Sequence, residues 1–582
     1  MPHSLRDLLL IAMLASCVFL TQLGSSRLWD RDEPRNAGCA AEMLQRGDWV
    51  VPTFNGELRA HKPVLTYWAM MLVYSVLGVS EFAARLPSAI CGGGTVLLTY
   101  LIGCRLYSRQ AGCWAAVALA TTVMFSIESR AATHDGVFIF CTTLATAIFV
   151  IGTFGKSPRL FPDWPVAAAM YACMGLAVLA KGPVGLVLPT AVIGMYLLLK
   201  RLPESDFGTG RWWRPVWDIA RSFEPRHFLS TCWLMRPCTA MAMVLLVALP
   251  WYLQVHFRTD GAWTHGFFFE HNLDRATSAM EGHDGGPLYY PLMLIVGFFP
   301  WSIFWMPVLW NTGAGTSRTD RGRDGYLLAA CWLGVYVALF SIARTKLPHY
   351  IVPCYPGLAL LTGAFLTRWS SGELVLSPLW PRLAFGSLAT VGIGMLIVVP
   401  ILSQHLVPGE ALLGLLGLPL ALAGIAALIL SQRGRIGLAI QLTGLSAATF
   451  LILMSGFAAI RIDRHRELTH LTQHLQADPD TVDVLSLGRM EPSWVFYAGR
   501  TIEEHYAPID AARSWTASRK TGRAVRLVTT AAHLDEVRNM LPQADYTVHH
   551  LPGFLRSEGL VVLTAAALPQ LSDAGHDTPP IR

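Results

Sequence analysis

Asp32, Glu33, Pro34 and Arg35 follow directly on the first apolar run of this chain, and His61, Lys62 and Pro63 come a short way further on. A carboxylate can take a proton from an attacking group, and Lys or Arg can grip a phosphate oxygen. Each residue also has a plainer use. Asp32 with Glu33 and Pro34 makes a good first helical turn, and Lys62 can snorkel to lipid phosphates. Asp135 opens an otherwise apolar run, where it can cap a helix or organise a polar site. Lys181, Gly182 and Pro183 separate two apolar runs with almost no loop; a turn explains the glycine and the proline but not the lysine. Arg344, Lys346, His349 and Tyr350 lie between two further runs, and paired cations there suit an anionic headgroup or a pyrophosphate-like leaving group. His265, Glu270, His271, Arg275 and His283 form a polar cluster whose histidines and carboxylate can ligate a divalent metal ion, although the spacing fits no structural zinc pattern.

The elements that must position these residues are membrane helices. Hydrophobic residues make up 53% of the 582 positions and charged residues only 14%, with a mean hydropathy of +0.43. Soluble domains carry about 25% charged residues, so the composition is that of a polytopic membrane protein. A net charge of +6 is then no signal for nucleic acid; what matters is where the cations lie. The eleven cysteines fall mostly within apolar runs, with no CxxC pair and none after Cys354, and read as small buried hydrophobes. Leu14-Ala-Ser-Cys17 has the form of a lipoprotein cleavage box, but cleavage there would leave Asp32 unanchored, so an uncleaved signal-anchor helix is the better reading.

Apolar runs long enough to span occur near 8–24, 87–105, 112–129, 135–153, 165–180, 183–200, 238–256, 288–310, 326–343, 349–366, 381–402, 411–430 and 436–456, about thirteen in all. The stretch 64–78 reads as an amphipathic helix at the interface. An odd count puts the termini on opposite sides. With a cytoplasmic N-terminus, the inside loops collect Arg105, Arg109, Lys156, Arg159, the cations from Lys200 to Arg236, Arg318 to Arg323, Arg368, Arg433 and Arg435, as the positive-inside rule requires. The remaining cations, Arg31, Arg35, Arg59, Lys62, Lys181, Arg258, Arg275, Arg344 and Lys346, then share the opposite face with Asp135. Their convergence predicts one anion-binding site there.

After about residue 457 the composition changes. Runs at 482–486, 525–529 and 559–564 read as strands alternating with helices near 465–475, 508–518 and 530–541, a small soluble α/β domain. The expected organisation is an all-α membrane domain over 1–456, with outer-face loops at about 25–86, 257–287 and 344–349. An extracytoplasmic α/β domain over 457–568 and a disordered tail over 569–582 complete it.

The order of Asp32-Glu33-x-Arg35, Gly47-Asp-Trp49, Lys62-Pro63, Ala84-Arg-Leu-Pro87, a helix-opening Asp135, Lys181-Gly-Pro183, Pro250-Trp251, His271-Asn-Leu-Asp-Arg275 and Thr345-Lys-Leu-Pro-His-Tyr350 resembles the lipid-A aminoarabinose transferases. These belong to the GT-C membrane glycosyltransferases, which also include protein O-mannosyltransferases. The resemblance runs from about residue 10 to 366 and continues weakly to the end. It implies a GT-C fold and inverting transfer of one sugar from polyprenyl (undecaprenyl) phosphate to an acceptor at the outer face of a bacterial inner membrane. Lipid A is the first acceptor it implies; a protein, through O-mannosylation, or another envelope glycan is the alternative. Motif match makes Asp32 the principal catalytic carboxylate, with Glu33 beside it and Asp135 in support. Lys62 and Arg35, joined by Lys346 and Arg275, would hold the donor phosphate, and His61 and His271 are the positions for a divalent ion.

Two positions depart from the family pattern: His61 stands where an acidic residue precedes the motif lysine, and Arg59 where a tyrosine is expected. Both touch the sugar or metal pocket. A different class, a transporter or flippase for anionic lipids, would also use cations among many helices. It would place polar residues near the bilayer midplane in repeated halves, whereas here the charges gather at one face and no repeat is evident.

Overall fold

The computed structural model describes residues 5–29, 32–155, 158–202, 214–273, 285–286, 288–317, 322–476, 481–541, 546–554 and 559–567. Arg275 and the expected tail lie outside them. Two compact units emerge: Met1–Ser26 with Met43–Pro52 and Leu58–Ala459, and Arg27–Glu42 with Thr53–Glu57 and Ile460–Arg582. One division falls between Ala459 and Ile460, and the segments 27–42 and 53–57 of the first loop belong to the second unit.

The first unit is helical. Nine of its described helices are long and apolar enough to cross a membrane, and two bent pairs bring the number to eleven. The apolar run near 112–129 is such a pair, Arg109–Ala120 and Val123–Arg130, bent by 67°, and the run near 288–310 bends by 116°. Hydropathy registers length and greasiness but not a bend, which is why the count of about thirteen simplified both. Two more expected spans are helices just short of that length, Leu5–Leu20 at 16 residues and Val184–Lys200 at 17. Leu65–Leu77, expected at the interface, is a helix of 13 residues.

The middle of this unit is formed by Pro348–Ser370, 89% buried over its apolar window, and His134–Thr153, 72% buried. Pro237–Arg258 and Leu379–Leu406, at 22%, are peripheral. Small residues allow the central contacts: a Cβ on Gly363 would lie 2.3 Å from the Ala111 carbonyl oxygen. Lipid tails are as apolar as leucine, so such close backbone approach is what holds membrane helices together.

Leu5–Leu20 is fixed at both ends by polar contacts. At its start Asp7 accepts from Tyr100 Oη at 2.9 Å and from Arg109 Nη2 at 2.6 Å. At and just past its end, Arg130 donates to the carbonyls of Val18, Phe19 and Thr21, and buried Arg85 to those of Leu23 and Ser26 at 3.0 and 2.9 Å. The arginine of the Ala84-Arg-Leu-Pro87 motif is therefore a clamp on helix-end carbonyls.

In the second unit, the strands β1 (Val482–Leu487), β2 (Glu503–His505), β3 (Ala524–Thr530), β4 (Thr547–Leu551) and β5 (Leu560–Ala565) form one sheet in the order β2-β1-β3-β5-β4. β1 runs parallel to β2 and β3, while β5 is antiparallel to β3 and β4. Alternate residues feed two cores. Leu485, Leu527 and Leu563 pack with Trp515 and Val537, and Val484, Val528 and Val562 with Leu471, Leu475 and Trp494. Burial on both faces explains why apolar residues fall on both faces of the central strands rather than in strict alternation. The first segments of the chain join this unit through specific bonds. Asn55 exchanges two hydrogen bonds with the backbone of Ile502, at 2.9 and 2.7 Å, and Glu42 accepts from Thr53 Oγ1 at 2.8 Å.

Replacing Arg85 by Met should leave two buried carbonyls without their donor and cost about 1–3 kcal/mol. Thermal unfolding of the purified protein in detergent reads this as a lower midpoint; an unchanged midpoint would show that the clamp is dispensable.

Candidate functional site

Asp135 is the second residue of His134–Thr153, at the end of the helix where backbone N–H groups lack intrahelical partners and a carboxylate is favoured. Lys181 is the last residue of Trp164–Lys181. Gly182 follows with φ +84°, and a Cβ there would also lie 2.5 Å from the Phe267 ring. Only glycine meets both conditions, so the tight turn into Val184–Lys200 delivers Lys181 to a fixed place.

That place is the Asp135 carboxylate, to which Lys181 Nζ donates. The pair is buried, with side-chain exposures of 11% and 9%. The ammonium also stands 5.4 Å from the ring centre of Phe138 and 5.3 Å from that of Tyr350, both within cation–π range. Other ionisable groups lie within electrostatic reach of the pair: His349 and Lys62 of Asp135, and Glu128 of Lys181. His134 is buried, its ring edge-on to Tyr67 at 4.9 Å between centres. Tyr67 Oη accepts from Arg59 Nε at 3.2 Å, and the Arg59 carbonyl accepts from Trp263 Nε1 at 2.9 Å. The structure thus brings Lys62, Asp135, Lys181 and His349 into one polar cluster at the ends of apolar helices.

Other expected site residues stand differently. Lys346 is buried, and its ammonium donates to the carbonyls of Gly285 at 2.7 Å and Gly286 at 3.2 Å. Arg258 forms a two-pronged pair with Asp48 at 2.8 and 3.0 Å. Burial works against the charge on Asp48, but the N–H groups of Val50 and Val51 and the Arg258 guanidinium outweigh it and hold the carboxyl below its usual range. Together with Trp251 and Trp68, which donate to the carbonyls of Val50 and Trp49, this pair shapes the Gly47-Asp-Trp49 turn. Each of these cations thus already has partners within the fold.

Asp32, Glu33 and Arg35 are in the second unit, on the first turn of Asp32–Gln45. Asp32 is exposed, and among the described residues no hydrogen bond or ion pair engages it. Glu33 is buried and accepts from the Trp29 N–H at 2.5 Å, so it organises the entry to the helix. Arg35 is half-buried.

Among the described residues no group of three or more His, Cys, Asp or Glu side chains is placed to hold a metal ion. His61 is half-buried, His265 and Glu270 form an exposed pair at 3.6 Å, and the side chain of His271 lies outside the described residues, as does Arg275. Sequence reasoning passed over Glu128, Tyr67 and Phe138. For Glu128 there was a signal: a lone acid at the end of an apolar run is costly unless a cation meets it.

Comparison with known proteins bears on the same arrangement. A family described as dolichyl-phosphate-mannose-protein mannosyltransferase matches residues 61–208. The undecaprenyl phosphate-alpha-4-amino-4-deoxy-L-arabinose arabinosyl transferase of Pectobacterium atrosepticum is 28% identical over 489 residues, 82% of this chain and 80% of that protein. Its namesake from Pseudomonas aeruginosa is 31% identical over 366 residues, 62% of this chain and 59% of that protein. The crystal structure of ArnT from Cupriavidus metallidurans bound to undecaprenyl phosphate superimposes with a TM-score of 0.73 at 22% identity, over 95% of this chain and 97% of that one, and the two share a fold.

Breaking a buried pair strands one charge, at a cost of about 3–5 kcal/mol. Lys181→Met should therefore lower the unfolding midpoint sharply, and adding Asp135→Asn should recover much of the loss. Additive destabilisation in the double variant would mean that the two side chains do not act as a pair.

Proposed function

We propose, from the premise that this chain belongs to the GT-C membrane glycosyltransferases and stands with their aminoarabinose transferases, that it moves one sugar from undecaprenyl phosphate to lipid A. The observation that carries the reading is the cluster of Lys62, Asp135, Lys181 and His349, set in a fold shared almost end to end with a protein crystallised with undecaprenyl phosphate.

In the reaction, an acceptor oxygen attacks the anomeric carbon while the bond from that carbon to the donor phosphate oxygen breaks, inverting the centre. The lipid phosphate leaves with the electron pair. Lys62 and Arg35 stabilise the charge that develops on it, as preorganised cations do in a water-poor site. Lys346 commits two of its N–H bonds to Gly285 and Gly286, which leaves one for an anion. Asp32 takes the proton of a hydroxyl acceptor, or orients the acceptor when it is an ionised phosphate. Asp135 is held by Lys181 and supports the site electrostatically, and Glu33 positions the Asp32 turn.

Asp32→Asn keeps the size and the helix-starting capacity of the residue but cannot accept a proton. It should insert and fold normally yet lose transfer by about 10²-fold or more. Mass spectrometry of lipid A from cells carrying each variant measures this, and near wild-type modification by Asp32→Asn would reduce the residue to a structural one. The mannosyltransferase match supports a second reading, a protein acceptor; envelope proteins that gain a hexose while lipid A stays unchanged would favour it.

The protein resides in the bacterial inner membrane with its N-terminus in the cytoplasm and residues 457–582 in the periplasm. The distribution of Lys and Arg among the loops supports this orientation. Alkaline phosphatase fused after Asp463 should be active; an inactive fusion, with a cytoplasmic reporter active at the same place, would reverse the topology.

A further inference from the structure

The approach to Asp32 is held far more tightly than Asp32 itself. The backbone of Leu28 is engaged at both polar atoms: its N–H donates to Tyr497 Oη at 2.9 Å, and its carbonyl accepts from Arg466 Nη2 at 3.1 Å. The guanidinium of Arg466 lies over the Trp29 ring, 4.6 Å from its centre. Arg466 is in turn fixed by Asp463 at 2.9 Å, with only 15% of its side chain exposed. The same carboxylate accepts from the N–H and Nη1 of Arg27, at 3.2 and 3.3 Å, and Arg27 also donates to Thr469 Oγ1 at 3.1 Å. The Trp29 N–H then binds Glu33, inside the helix that Asp32 opens.

Every residue from 27 to 29 is thus gripped by polar groups beyond residue 460, and Arg466 alone contacts two of them. An arginine can do this because its planar fork donates in two directions while its face stacks on an aromatic ring. Simple docking of a helix onto a sheet needs only apolar area. A polar clamp with this many fixed directions sets an angle.

We propose that Arg466 is a positioning residue for Asp32: by bracing Leu28 and Trp29 it sets the direction in which the Asp32–Gln45 helix presents its first carboxylate. The second unit is then part of the transfer machinery. This inference rests on the reading of Asp32 as the reacting carboxylate.

The test uses the full-length purified protein with an undecaprenyl-phosphate-linked aminoarabinose donor and lipid A. Since misplacement by about 1 Å can cost 10²-fold in rate, Arg466→Ala should lower kcat by about 10-fold or more, while KM for the donor stays within about 2-fold. Arg466→Lys, which keeps the charge but not the fork, should recover part of the rate. Tyr497→Phe, which removes one hydroxyl, should lower kcat less and again spare KM. In an Asp32→Asn background, Arg466→Ala should cause no further loss, because it acts through the residue already disabled. Unchanged kcat in Arg466→Ala, or an equal further loss in the Asp32→Asn background, would overturn the proposal. Should Arg466→Ala fail to fold, Tyr497→Phe decides, and wild-type kcat there overturns it. Wild-type kcat in Asp32→Asn alone would instead sink the reading of Asp32.

Discussion

A lysine delivered to the end of an apolar helix must meet a counter-charge or leave the bundle, because an unpaired ammonium at membrane depth is costly. Lys181 meets Asp135, and the surroundings are arranged about that meeting. The glycine turn at 182 brings the lysine in, the start of His134–Thr153 favours the carboxylate, and two aromatic faces line the ammonium. Buried pairs of this kind contribute little net stability, since desolvation offsets most of the attraction. What the pair contributes is place: it joins two helix ends, so that Lys62 and His349 find their neighbours already set.

This pairing also explains how far a count of charges can mislead. The cations on the expected outer face were legible in the sequence as a group, and the positive-inside rule made them stand out. Their partners were not legible. Asp48 is distant in sequence from Arg258, and the carbonyls that receive Lys346 carry no sequence signal. A cation's chemistry depends on what already neutralises it, and only folding decides that. Asp135 and Lys62 were legible as candidates because an acid or a base beside a helix end is conspicuous against apolar residues. Tyr67 and Phe138 were not, because aromatic residues in such a chain resemble any other part of its core.

The same contrast holds for the fold. Long apolar runs identify membrane helices well, since burying a span in lipid demands length and composition alone. The bends at 109–130 and 289–316 leave no hydropathy trace, although Gly297 and Pro300 mark the break of the second. In the second unit β1, β3 and β5 were legible because they are buried on both faces. β4, with exposed Thr547, His549 and His550, and the three-residue β2 are edge strands whose pairing is fixed by backbone bonds to neighbours, which composition does not record.

The clamp on residues 27–29 has a consequence in time. Arg27 meets Asp463 across 436 positions of sequence, and Asn55 meets Ile502 across 447. The braces follow the Asp32 segment by hundreds of residues, with the membrane helices lying between them in the chain. Contacts of such long range form late, once the entropy of closing the loop has been met by everything in between. A cut anywhere between these partners therefore separates the Asp32 helix from the side chains that brace its approach, while leaving the apolar helices before the cut in one piece.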